Sequence, residues 1–144
     1  MCMMIYISAD QPLNLVSLDK VNPTFHVSPL IEKDKVVGQQ FHYANVYSVG
    51  AYDGCGCGFQ YGQYPEYEDD ERQLKRASLD AFSDYLIQQL RQVKVIELFA
   101  CWDGDQSRTP EHNRRFTPKA FHSEDFYFYE KEFSEIYKDI VGQS

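Results

Sequence analysis

Two cysteines in one short segment, Cys55 and Cys57, carry the most suggestive chemistry in the chain. They sit in Asp53-Gly54-Cys55-Gly56-Cys57-Gly58-Phe59, which holds two of the four cysteines and three of the eight glycines. In an extended backbone, alternate side chains point the same way, so both thiols would share a face. Two thiolates on one tetrahedral zinc stand about 3.8 Å apart, given Zn–S bonds of about 2.3 Å. The flanking glycines permit the small backbone adjustment that this requires. Cys2 and Cys101 would complete a four-thiolate set if their strands flank the segment, with His26, His42, His112 or His122 as replacements. Structural zinc sites usually bring two such ligand pairs, whereas this chain has one pair and two singletons. The competing reading makes reduced cysteines small apolar side chains that fill a core.

The same pair could work as a redox dithiol, because a Cys-x-Cys disulfide is strained and easily reduced. A reactive thiol needs a cation or a helix N-terminus beside it. No cation is adjacent in sequence, and Asp53 raises a thiol pKa. The opening Met1-Cys2 is similar to glutamine amidotransferases that use a processed N-terminal cysteine, but with Met1 retained Cys2 has no free α-amino group. Asp103-x-Asp105-x-Ser107 opens like a calcium loop and then fails, with Arg108 at the glycine position and Arg114 at the closing glutamate. No P-loop, dinucleotide fingerprint, HExxH or nucleophile elbow is present.

Arg108, Arg114, Arg115 and Lys119 form the densest basic cluster, with His112 and His122, in a stretch 106–123 that reads as a long loop. It would bind an anion or an acidic partner, or balance the charge of an acidic domain. The acidic run 64–70 would dock a cation or a basic partner, but acids before a helix also complement its positive end.

These residues must be positioned by the elements around them. Asp53-Gly54 signals a two-residue turn, because glycine supplies the positive φ that such turns need. The segments 36–52 and 55–61 then read as the arms of a hairpin, with a break at Gly38. Tyr52 would face Cys55, Gly50 Cys57, Ser48 Phe59 and Val46 Tyr61. The opposite face would carry Ala51, Val49 and Tyr47 against Gly56, Gly58 and Gln60. Glycines at 56 and 58 invite close approach by something else. Tyr47, Val49, Gly56 and Gly58 are therefore candidates for a ligand groove, unless the chain's own helix fills it.

That helix spans 71–92. Leu74, Ser78, Phe82, Leu86 and Leu90 recur every four residues with Ala81, Tyr85 and Val93 beside them, a stripe that faces a core. Arg72, Lys75, Arg76, Asp80 and Arg91 fall on the wet side. Strands are expected at 2–8, at 24–28 between Pro23 and Pro29, at 94–102 as a central apolar strand, and at 126–130. The stretch 31–35 reads as a turn. After 130 the pattern fits either a helical face through Phe133, Ile136, Tyr137 and Ile140, or a continued strand.

The chain has 144 residues with 43% hydrophobic and 25% charged content, which suits one globular domain. Aromatics reach 15% and fit a sheet-based core. A net charge of −8 argues against general nucleic-acid binding, which needs basic side chains on phosphates. No run approaches the roughly 20 apolar residues of a membrane helix, and 1–7 lacks the basic start of a signal peptide. A cytoplasmic location with reduced cysteines follows as an expectation.

The opening Met1-Cys2-Met3-Met4-Ile5-Tyr6-Ile7 and the run Gly54-Cys55-Gly56-Cys57-Gly58-Phe59 resemble small bacterial proteins with a similar start and a similar Gly-Cys-Gly-Cys-Gly-Phe core. The resemblance covers about fifteen residues. That family carries no assigned activity, so the resemblance implies a bacterial cytosolic origin and no catalytic residue.

The expected fold is a single α+β domain, a mainly antiparallel sheet of about four to six strands with one long helix on a face. The expected function is a binding or interaction protein with a protein partner or small ligand. A thiolate zinc protein and a thiol redox enzyme are the alternatives. No cofactor other than zinc is indicated.

Overall fold

The computed structural model describes residues 2–19, 24–62 and 69–139. Six strands make one sheet: β1 Met3–Ala9, β2 Phe25–Pro29, β3 Asn45–Ala51, β4 Val95–Trp102, β5 His112–Phe116 and β6 Glu132–Tyr137. Their order is β2-β3-β1-β4-β6-β5, antiparallel throughout except for the parallel pair β5/β6. One helix, α1 (Asp69–Gln89), packs on one face. This is the α+β architecture expected from the sequence. Among the described residues no helix is long and apolar enough to cross a membrane.

The two faces of the sheet are covered differently. Ile5, Ile7, Val49, Leu98 and Ile136 point toward α1 and are buried there with Phe59, Phe82, Phe121 and Phe128. Phe82 sits at the centre of this aromatic layer, its ring 5.1 Å from Phe59 and 5.3 Å from Phe121. The opposite face buries a smaller set, Tyr6, Phe99 and Cys101, under Val37. Val37 belongs to a 3-10 segment, Glu32–Gln40, where the sequence suggested a turn followed by a strand. Gln106 fastens that segment. Its Nε2 donates to Asp103 Oδ1 at 2.9 Å, to Tyr6 Oη at 3.1 Å and to Asp34 Oδ1 at 3.4 Å.

The hairpin expectation is overturned in its second half. The turn exists: Gly54 has φ +88° and its N–H donates to Ala51 O at 2.9 Å. The chain after it does not return beside β3, whose neighbours are β1 and β2. It forms a 3-10 turn, Gly56–Phe59, instead of a strand. Three glycines in five residues offer little side chain to hold a strand, and both edges of β3 are already taken. The expected face of Ala51, Val49 and Tyr47 does lie toward the helix.

The expected helical stripe holds at Ser78, Phe82, Tyr85, Leu86, Leu90 and Val93, which are buried, and fails at its N-terminal end. Leu74 is 44% exposed and Lys75 is 4% exposed, the reverse of the sequence reading. The buried positions run through Lys75, Leu79, Phe82, Leu86 and Gln89, with Ser78, Ser83 and Tyr85. Spacings of three and four fit this set as well as the fours counted through Leu74. A lysine can occupy it because its stem is apolar and its head reaches a carbonyl.

Three further readings change. The stretch 106–123 is not a loop throughout; it contains β5 and a 3-10 turn, Pro118–His122. Residues 126–130 form no strand, and Phe126 and Phe128 pack in the aromatic layer. The strand starts later, at Glu132, so the extended alternative for the C-terminal part holds. Met1, Pro23, the acidic residues before Asp69 and Ile140 lie outside the described residues.

Candidate functional site

Three of the four cysteines meet at one end of the sheet. Antiparallel pairing sets the start of β1 beside the end of β3, and the Asp53-Gly54 turn folds the next residues back over it. The Met3 N–H donates to Cys57 Sγ at 3.2 Å. The Cys2 and Cys55 side chains interact with each other, and Cys55 feels the charge of Cys57. Cys2 is exposed, whereas Cys55 and Cys57 are half-buried. Asp53 closes the turn: Oδ1 accepts the Cys55 N–H at 3.2 Å, and Oδ2 takes the Cys55 thiol at 3.6 Å.

A lysine stands beneath the thiols. Lys75 Nζ donates to Cys57 O at 2.9 Å from inside the helix–sheet interface. Burial lowers its pKa below the ordinary lysine value, against the attraction of Glu71, Asp53 and the two cysteines. Burial pushes the Cys55 thiol up, and the charge of Asp53 adds to that shift. Neighbouring Tyr52 is tied to the helix through its N–H, donated to Ser78 Oγ at 3.0 Å. Ser78 in turn donates to Thr24 O at 2.6 Å.

Cys101 does not join this group. In β4 it pairs with Met4 and faces the other side of the sheet, sealed with Tyr6, Val37 and Phe99. Burial pushes its thiol up to about 12. Cys101 is therefore removed from the expected four-cysteine set, because side-chain alternation along β4 sends it away from the helix face. Among the described residues, no three histidine, cysteine or carboxylate side chains are already placed to hold a metal ion.

The four proposed groove residues do not line an open groove. Val49, Gly56 and Gly58 are buried, and Tyr47 Oη accepts the Leu13 N–H at 3.0 Å. A Cβ on Gly56 would lie 2.6 Å from Ile5 Cγ1 and 2.8 Å from Met3 O. One on Gly58 would lie 2.6 Å from the Ala51 Cβ. The close approach that the glycines announced is made by β1 and β3 themselves.

The basic residues are also spoken for. Arg114 Nη2 donates to buried Glu132 Oε1 at 2.8 Å and to Tyr127 O at 3.1 Å, with its guanidinium over Phe116, Phe126 and Tyr129. Arg115 binds Glu135 at 3.0 Å, and Arg108 lies 3.9 Å from Asp105. Arg114 and Arg115 alternate on β5, so they face opposite sides of the sheet. They do not form one anion-binding loop. Asp103 is similarly committed: the Gln106 hydrogen bond, helped by Lys33, holds its carboxyl below the usual range.

Sequence reasoning missed a second constellation on the far face. Glu97 is 2% exposed in central strand β4 and accepts three hydrogen bonds. Its Oε1 takes the Ser8 hydroxyl at 3.0 Å and the His42 N–H at 2.8 Å; Oε2 meets His42 Nδ1 at 2.5 Å. The His42 ring itself is exposed. The signal was a single carboxylate in an otherwise apolar central strand, which must find partners to be buried. Comparison with protein-family models, with curated proteins and with solved structures finds no match.

Proposed function

We propose that the protein is a small binding protein whose ligand is held through sulfur, at the corner where Cys2, Cys55 and Cys57 meet over Lys75. One observation carries this reading. Residues more than fifty positions apart in sequence put three thiols on one partly accessible corner, while the fourth is sealed on the other face. A core that merely needed small apolar side chains has no reason to leave Cys2 exposed.

Soft ligands suit this chemistry: a zinc or cadmium ion, or another sulfur-seeking centre. Binding requires thiolates, so the metal–sulfur bond has to offset the cost of deprotonating Cys55, whose thiol is pushed up by burial. Lys75 then supplies a nearby positive charge for the thiolate group. Cys2 is exposed and Cys55 lies on a turn, so both can close on a ligand without moving the sheet.

The test is cadmium titration with thiolate charge-transfer absorbance as the readout, alongside Ellman titration and metal analysis of the purified protein. One cadmium per chain, lost in Cys57→Ser and kept in Cys101→Ser, supports the reading. Four independently titrating thiols and no cadmium uptake would leave a binding protein that does not use sulfur. A single fast-reacting thiol would favour a thiol enzyme.

A further inference from the structure

The far face of the sheet carries a charged row that the thiol corner does not use. Strand register aligns Ser8, Glu97, Glu135 and Arg115 across β1, β4, β6 and β5. Glu97 and Glu135 are directly opposite each other, an arrangement that is unfavourable for two carboxylates unless each has a counter-charge. Arg115 serves Glu135 at 3.0 Å. His42 serves Glu97, a buried side chain that must find polar partners.

His42 also lies where the covering segment rejoins the sheet. Glu32–Gln40 lays Val37 over Tyr6, Phe99 and Cys101, and Phe41 follows it against Phe133, with ring centroids 6.3 Å apart. Its other ties are the Lys33–Asp103 ion pair at 3.7 Å, Asp34 accepting from Gln106 Nε2 at 3.4 Å, and side-chain amides. Gln40 Nε2 donates to Gln106 O and Arg108 O, and Gln39 Nε2 donates to Ser107 O. At the β3 end it is tied by His42, through both its backbone N–H and its ring.

We propose that His42 and Glu97 form a pH-sensitive latch that holds the cover segment down on the far face while His42 is protonated and loosens it when the proton leaves. The groups facing the imidazole are Glu97 from β4 and Glu135 from β6. Asp10, beyond β1, and the phenols of Tyr43 and Tyr137 lie in the same field, and Arg115 stands behind Glu135. Apart from Arg115, this surrounding is acidic and favours imidazolium. The Glu97 hydrogen bond is the main cause that raises the His42 pKa above its ordinary value, with the Glu97 charge next. The sign follows from that direction. The latch is complete below the free-histidine pKa of about 6.5 and is lost as pH rises through the raised folded value. Above that value, Glu97 and Glu135 face each other with Arg115 alone between the pair and repulsion.

Amide hydrogen exchange read by mass spectrometry, corrected for intrinsic rates, tests this on the native chain. The peptide across 36–44 should lose protection between about pH 6 and about pH 9. Its opening constant should rise by about tenfold for each unit separating the latched from the free imidazole pKa. Peptides from β1 and β4 should keep their protection. In His42→Gln the 36–44 peptide should already be unprotected near pH 6 and show no pH dependence. Equal protection of the wild-type peptide at both pH values would overturn the proposal. So would a parallel loss in every peptide, or a His42→Gln variant as protected as the parent near pH 6. If the variant does not fold, the wild-type comparison alone still decides.

Discussion

Lys75 Nζ and the carbonyl of Cys57 are 2.9 Å apart, and this hydrogen bond joins the long helix to the cysteine-bearing turn. It places a buried cation behind a group of thiols, the neighbour that a reactive or ligand-binding sulfur needs. Nothing adjacent in sequence supplies it. The helix brings it from eighteen residues further along the chain.

The pair makes a separable prediction. Lys75→Met keeps the length and apolar stem while removing the charge. It should change stability by no more than about 1 kcal/mol, since the desolvation cost of the ammonium and the lost hydrogen bond nearly offset. The same variant should slow alkylation of Cys55 and Cys57 by iodoacetamide, because the thiolates lose their cation. Lys75→Glu should cost roughly 3–5 kcal/mol, with an uncompensated buried charge beside Glu71 and Asp53. Urea melts and timed alkylation read both effects. Equal alkylation in Lys75→Met and the parent would show that the lysine does not act on the thiols.

The N-terminal departure of α1 from the expected stripe is tested by two leucines. Leu86 is fully buried in the aromatic layer, whereas Leu74 is an exposed side chain. Leu86→Ala should destabilise by ~2–5 kcal/mol, and Leu74→Ala by no more than roughly 0.5 kcal/mol. Comparable losses in a urea melt would return Leu74 to the core.

Glycines of the turn and of the cover segment should respond in opposite ways. Gly56→Ala forces a Cβ against Ile5 and the Met3 carbonyl and should cost ~1–3 kcal/mol. Gly38 has open space around its Cβ position. Gly38→Ala should be neutral or stabilise by about 0.4–1 kcal/mol through the unfolded chain. Thermal melts of the two variants distinguish them; a Gly56→Ala protein that melts with the parent would mean that the turn does not press on β1.

Periodicity and apolar runs made the sheet-plus-helix fold legible. The central strand β4 could be read because seven of its eight residues are uncharged, and α1 because its apolar spacing persists for five turns. The return from Asp53-Gly54 could not. A turn signal says that the chain reverses, but the choice between strand and 3-10 turn depends on whether an edge of β3 is free. That is a property of β1 and β2, far away in sequence. Lys75 was misplaced for a related reason. A charged residue is assigned to water by type, yet its burial depends on a carbonyl that only the folded turn presents. Cys101 was grouped with the other cysteines by type alone, and one-residue alternation on β4 moves it across the sheet. The His42–Glu97 pair spans 55 residues, so spacing could not reveal it.

The three-cysteine corner is tested most directly by titration of the native protein with phenylarsine oxide. Its arsenic exchanges the oxide for two thiols, releasing one water, and so it reports sulfurs that can meet at one centre. The structure leads to one arsenic per chain, bridging two of Cys2, Cys55 and Cys57, with Cys101 unmodified in the mapped peptides. Failure to take up arsenic, or an adduct that includes Cys101, would contradict a shared three-cysteine corner.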